Sequence, residues 1–129
     1  MRGEITTAMV DACYTQAKRV LRGITTIQGG AKIAEQKTAI NNSSAIRTID
    51  SIVKMLEGRF YASIINNDGM VLIFNKIELD YGVEGITKAI RASIQHVEYL
   101  TREQGNNKTA LRELINKYIT KYNLEIPLM

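Results

Sequence analysis

A chain of 129 residues, 45% of them apolar, has enough for a real core without staples and too many for a disordered segment. A single cysteine, Cys13, excludes an intrachain disulfide, and a single histidine, His96, leaves too few soft ligands for a structural zinc site. The net charge of +4, from 17 Lys and Arg against 13 Asp and Glu, admits an anionic partner without demanding one.

Aromatic content is low, at 6% with no Trp, so the bulk of the core falls to Ile, Leu, Val, Ala and Met. The one proline is Pro127, and nothing ahead of the tail need be broken, which favours long helices. The longest solid apolar run, 70–74, is far short of a membrane span, and the first residues lack a basic-then-apolar signal segment. No membrane partner is expected, and the setting read from this is cytoplasmic.

The first helix is expected over 4–21, with Ile5, Met9, Ala12, Cys13, Gln16, Ala17, Val20 and Leu21 on one face. Glu4 near its start and Lys18, Arg19 and Arg22 near its end suit the helix macrodipole, and Gly23 stops it. Cys13 inside this pattern reads as a small buried thiol. Residues 24–27, Ile-Thr-Thr-Ile, read as a linker, and a short second helix is expected over 30–36, with Ile33 and Ala34 as its apolar points.

A turn-length connection, 37–41, leads to the best-written helix of the chain, 41–58. Asn42 or Ser43 is a good N-cap, since a short side-chain oxygen can accept from orphan backbone N–H groups. Ile46, Ile49, Ile52, Val53 and Leu56 follow at helical spacing, and Gly58 stands where a left-handed residue closes a helix cheaply. Short helix, turn and capped helix have the outline of a helix-turn-helix. The alternative is a plain helical corner of a small bundle.

Residues 59–77 allow two readings. Arg-Phe-Tyr-Ala-Ser-Ile-Ile, Asn-Asn-Asp-Gly and Met-Val-Leu-Ile-Phe could form a hairpin. Against it, the second arm is solidly apolar rather than alternating, and an isolated two-stranded hairpin is marginal. The favoured reading caps a helix at Asn67 or Asp68, places Met70, Ile73, Phe74 and Ile77 on one face, and ends it at Gly82. A helix follows over 83–103 with Ile86, Ala89, Ile90, Ser93, Ile94, Val97 and Leu100 inward. The last is expected over 109–123, with Leu111, Leu114, Ile115, Tyr118, Ile119 and Tyr122 on one side. Ile49, Val53, Ile90, Leu111 and Ile115 are the residues expected at the centre of the core.

No catalytic constellation is evident. Gly29-Gly30 lacks the spacing of a phosphate loop. His96 has no carboxylate at helical spacing and reads as a helix-surface or core-edge residue rather than a general base. Glu78, Asp80 and Glu84 lack the ligand count of a calcium site and read as solvated or capping side chains.

The run Asn42-x-Ser44-Ala45-x-x-x-Ile49, then Met55-Leu56-x-Gly58-x-x-Tyr61, then Ile77-x-x-Asp80-Tyr81-Gly82-x-x-Gly85-Ile86-x-x-Ala89-Ile90, then His96-x-x-Tyr99 carries a resemblance. It resembles the helical N-terminal region ahead of the nuclease in some bacterial HNH-family restriction endonucleases of the methylcytosine-specific type. The likeness covers about residues 10–122. It implies an all-helical module associated with DNA restriction or defence, and supports helix over 67–79. The HNH metal-binding segment is absent, so nuclease activity is not implied. The family tends to carry a basic residue after the tyrosine matched by Tyr61; here Ala62 follows, which puts that contact in doubt or moves it to Arg59.

The expected architecture is therefore all-α, a compact bundle of about six helices with a helix-turn-helix-like pair in residues 1–123, followed by an apolar tail, 124–129. The expected function is a non-catalytic DNA-binding or DNA-positioning module of a restriction or defence system. Its partners would be double-stranded DNA and a nuclease or effector protein, with no cofactor and no metal. Lys32, Lys37, Arg47 and Arg59 would meet phosphates, and Asn42, Ser43, Ser44 and Arg47 lie at the start of the entering helix. Two rivals stand beside this. One is a small helical subunit of an RNA-guided or other nucleoprotein effector complex. The other is a protein-interaction module that forms a homodimer through the apolar tail and Tyr118/Tyr122.

Overall fold

A computed structural model describes residues 4–129. They carry five helices: α1 (Thr7–Leu21), α2 (Ile27–Thr38), α3 (Asn42–Glu57), α4 (Asn67–Gln104) and α5 (Thr109–Tyr122). No strand occurs among the described residues, so the hairpin alternative for 59–77 is set aside.

Short polar side chains decide where four of the helices begin. The Thr6 hydroxyl accepts from the Met9 amide at 3.2 Å, and the Met9 thioether accepts back from the Thr6 amide at 3.4 Å. The helix therefore starts at Thr7 and leaves Glu4 outside it, later than the expected 4–21. Thr26 caps α2 through the Gly29 amide at 3.0 Å, which draws Ile27 into a helix expected only from Gly30. The cap of α3 is Asn41, whose side-chain oxygen accepts from the Ser44 amide at 2.8 Å; it is neither Asn42 nor Ser43, as expected. The cap of α4 is Asn66, bonded to the Gly69 amide at 2.8 Å, in place of the expected Asn67 or Asp68. Asn66 also donates to the Ile5 carbonyl at 2.8 Å, and that tertiary bond favours it over its neighbour. Each cap satisfies a donor that the first turn leaves without an intrahelical partner.

The ends are equally local. Gly58, at φ 74°, closes α3 with paired bonds from Gly58 to Met55 and from Arg59 to Lys54, at 3.1 and 2.8 Å. At Gly82 the helical conformation breaks where the sequence placed the junction. This glycine interrupts α4 with φ 64° and ψ −153°, a conformation open essentially to glycine, and helix continues beyond it. Five helices thus stand where about six were expected, the two expected on either side of Gly82 belonging to one broken element.

The described chain divides into two compact units. The first holds the described residues up to Val53 together with Ser63–Ile73. Here α1 packs on α2, and Val10, Cys13, Ala17, Ala31 and Ala34 are fully buried. Gly30 permits the approach, since a Cβ there would lie 2.9 Å from the Gln16 Cβ. The second unit holds Lys54–Ala62 and Phe74–Met129, with Phe74, Ile77, Ile86, Ile90, Leu111, Ile115 and Tyr118 inside. The five residues expected at the centre of the core, Ile49, Val53, Ile90, Leu111 and Ile115, are all buried. Within the second unit the tail is tied down: the Asn116 amide donates to the Met129 carbonyl at 3.2 Å and accepts from its N–H at 2.8 Å. No helix among the described residues is long and apolar enough to cross a membrane.

Candidate nucleic-acid interface

The turn between α2 and α3 is Ala39-Ile40-Asn41. Ala39 adopts the left-handed conformation, at φ 63°, and its N–H bonds the Glu35 carbonyl at 3.0 Å. Ile40 is buried and anchors the turn, and Asn41 caps the next helix. The two helices approach at Gly30, where a Cβ would stand 3.5 Å from the Ile49 Cδ1. Their outward sides carry the residues singled out from the sequence.

Lys32 and Lys37 on α2 are exposed, as are Asn42, Ser43 and Arg47 on α3. Ser43 and Arg47 lie one turn apart on the α3 face that points away from Ala45, Ile49 and Ile52. Because Asn41 performs the capping, the side chains of Asn42 and Ser43 are not consumed by it. Neither they nor Lys32, Lys37 or Arg47 make a side-chain hydrogen bond or ion pair among the described residues. Ser44 is half-buried, with its backbone N–H on the Asn41 side chain. Between the two lysines stands the exposed Glu35, the one acid on α2.

Arg59 belongs to the second unit, whereas the other named residues belong to the first. Its guanidinium is 2.8 Å from the Glu57 carboxylate across the Gly58 turn, on a side chain 62% exposed. Water screens such a pair, which is worth little to stability. It does place a negative charge beside the arginine.

The groups that could have carried other chemistry are engaged elsewhere. Cys13 is fully buried and burial pushes its thiol up to about 12, so it is no thiolate. Glu78 accepts from Lys121 Nζ at 2.5 Å and from the Tyr122 hydroxyl, which holds its carboxyl below the usual range. It bridges to α5 where a capping or solvated role was expected. Tyr118 is buried and donates to Asn75 at 3.0 Å. Of the surface named for a homodimer, Tyr118, Tyr122 and Met129 are bonded within the chain, while Leu128 is 62% exposed.

His96 differs from the surface or core-edge reading, being 1% exposed. Its Nδ1 lies 2.7 Å from the Tyr61 carbonyl, and its ring stacks on that of Tyr61 at 4.3 Å between centroids. The Tyr61 hydroxyl is 2.8 Å from Ser93 Oγ. This buried polar cluster went unremarked in the sequence, although Ser93 and His96 stand three apart amid Ala89, Ile90, Val97 and Leu100. A polar pair set into an apolar face was the available signal. Compared with family models, curated proteins and solved structures, the chain matches none.

Proposed function

We propose that the chain is a non-catalytic module that binds double-stranded DNA, with α2 and α3 acting as a helix-turn-helix and α3 entering the groove. The observation that carries this reading is the cap at Asn41. It leaves Asn42, Ser43 and Arg47 outward on the first turns of α3, with Lys32 and Lys37 exposed on α2. Cations and short polar side chains at such a place suit phosphates and base edges. Arg59 enters as a weaker phosphate contact, because Glu57 shares its charge. A role in restriction or defence, alongside a nuclease or effector protein, follows the sequence resemblance alone.

Duplex affinity measured against salt for the parent, Arg47→Ala and Lys121→Ala tests this. Lys121 is a suitable control because its ammonium is already held by Glu78. Arg47→Ala should weaken binding and lower the slope of log affinity against log salt by about one unit, the loss of one phosphate contact. Lys121→Ala should do neither. Equal losses in both variants would mean diffuse attraction by a net charge of +4. No binding by the parent at about 50 mM salt would end the DNA reading.

A further inference from the structure

The connection between α3 and α4 has no regular structure, yet two of its residues are held firmly. Phe60 meets Tyr99 edge-on at 5.3 Å between centroids. Tyr61 lies nearly parallel to His96, with 16° between ring planes, and reaches Ser93 with its hydroxyl. Ser93, His96 and Tyr99 follow at three-residue spacing on α4, so one side of that helix receives the whole segment. The central tie is the bond of His96 Nδ1 to the Tyr61 carbonyl at 2.7 Å. A carbonyl only accepts, so Nδ1 carries the proton and the neutral ring has its other nitrogen unprotonated.

We propose that His96 is a proton-operated latch: uptake of a second proton by its ring releases residues 59–62 from α4. A second proton leaves the Tyr61 bond intact but puts a full charge on a ring 1% exposed. The groups facing that ring offer no counter-charge. From the connection comes the Tyr61 hydroxyl, committed to Ser93. From the loop ahead of α5 comes Lys108, which repels. Arg112 of α5 is turned to the Asn107 carbonyl and the Thr101 hydroxyl, and no carboxylate among the described residues bears on the ring. Burial lowers the ring's affinity for a proton below the ordinary histidine value, the Tyr61 bond opposes that, and Lys108 adds to it. The latch is therefore shut at neutral pH and opens in acid.

The charge is relieved where the structure yields most readily. α4 is held by its own backbone ladder, whereas the 59–62 segment has no strand or helix bonds, and Phe60 and Ala62 are already exposed. Swinging Tyr61 outward gives up the bond to its carbonyl but admits water to the charged ring, which replaces that bond and solvates the charge.

His96 is the only histidine, so its ring proton is a unique magnetic-resonance signal. The intact chain is titrated from about pH 7.5 to about pH 4.5, across the histidine range, while the nuclear Overhauser contacts between the Tyr61 and His96 rings and between the Phe60 and Tyr99 rings are followed, with amide protection factors read at Ile90 and Ile115. Both ring contacts should fade with the midpoint of the ring titration, with protection at Ile90 and Ile115 unchanged. His96→Gln, which can still donate to the carbonyl but takes up no proton, should abolish this response. Lys108→Asn, which removes the repelling charge and suits the left-handed backbone there (φ 48°), should move both midpoints upward together. The latch is overturned if the His96 ring titrates while both ring contacts persist. It is also overturned if Ile90 and Ile115 open at the same midpoint, if His96→Gln responds to acid like the parent, or if Lys108→Asn moves one midpoint without the other.

Discussion

Two sets of polar side chains in this protein live under opposite conditions. At the start of α3, Asn42, Ser43 and Arg47 stand in water and bond to nothing among the described residues. Around Tyr61, polar groups are sealed from water and paired: the Ser93 hydroxyl with the Tyr61 hydroxyl, and the His96 ring with the Tyr61 carbonyl. A buried polar group that loses its partner costs the full desolvation penalty, whereas an exposed one merely returns to water. The second set is thus part of what holds its unit together. The first contributes almost nothing to the fold and is free to meet another molecule.

The widest gap should appear between the core and the exposed set. Ile49→Ala, Ile90→Ala and Ile115→Ala each empty a fully buried position and should cost about 2–5 kcal/mol in urea unfolding. Arg47→Ala should stay within about 0.5 kcal/mol of the parent. If Arg47→Ala ranked with the isoleucines, the arginine would be structural, and the contrast on which the DNA reading rests would collapse.

Helical periodicity made the fold class readable, because each apolar face recurs at three-four spacing whatever the helix packs on. The starts of helices were harder for a definite reason. Asn41-Asn42 and Asn66-Asn67 are pairs of equally good caps, and only the backbone, or a tertiary bond such as Asn66 to Ile5, selects the first of each. The break at Gly82, with helix on both sides of it, was legible because glycine suits such backbone; that the two segments run on as one element was not. Exposure at Lys32, Lys37 and Arg47 followed from the faces opposite the apolar stripes. The pairing of Arg59 with Glu57 did not, since it depends on the left-handed turn at Gly58 bringing residues two apart together. His96 was misplaced because a histidine with no acid nearby looks like a surface residue, and its partner is a backbone carbonyl 35 positions away.

The buried set can be tested by breaking its symmetry. Tyr61→Phe removes one hydroxyl and leaves Ser93 unpartnered, at a cost of about 1–3 kcal/mol. Adding Ser93→Ala should recover part of that loss, a non-additivity expected only if the two hydroxyls serve each other. Simple additivity in denaturant melts would show them to be independent. Acid supplies the companion test. A histidine whose folded value is lowered contributes stability that is fully present above its unfolded value of 6.5. As pH falls below that value, the unfolded chain takes up the proton first, so stability should decline until the folded ring also titrates. His96→Gln should flatten that part of the profile.

Close approach gives a comparable effect in the first unit. Gly30→Ala places a Cβ 2.9 Å from the Gln16 Cβ, an atom fixed to the α1 backbone that cannot swing aside. Overpacking of this kind should cost about 1–3 kcal/mol. A neutral result would mean that α1 and α2 can shift apart, and that the footing of the α2–α3 pair is softer than the burial of Ala31 and Ala34 implies.

The smallest effect concerns the turn that presents the exposed set. Ala39 carries a Cβ in left-handed backbone, at φ 63°, where glycine would be unstrained. Ala39→Gly should therefore raise stability, by about 0.5–1 kcal/mol once the greater freedom of the unfolded glycine is set against the relieved strain. The side chains of Asn42, Ser43 and Arg47 are untouched, so duplex affinity should hold if chemistry at the surface is all that matters. A glycine there also loosens the hinge between α2 and α3. A variant that melts later yet binds DNA more weakly would show that the alanine is retained to fix the angle at which α3 is presented, at some cost in stability. A variant that melts earlier would show that Ala39 relies on contacts of its own methyl group, and that the turn is held by packing as well as by the Ile40 anchor.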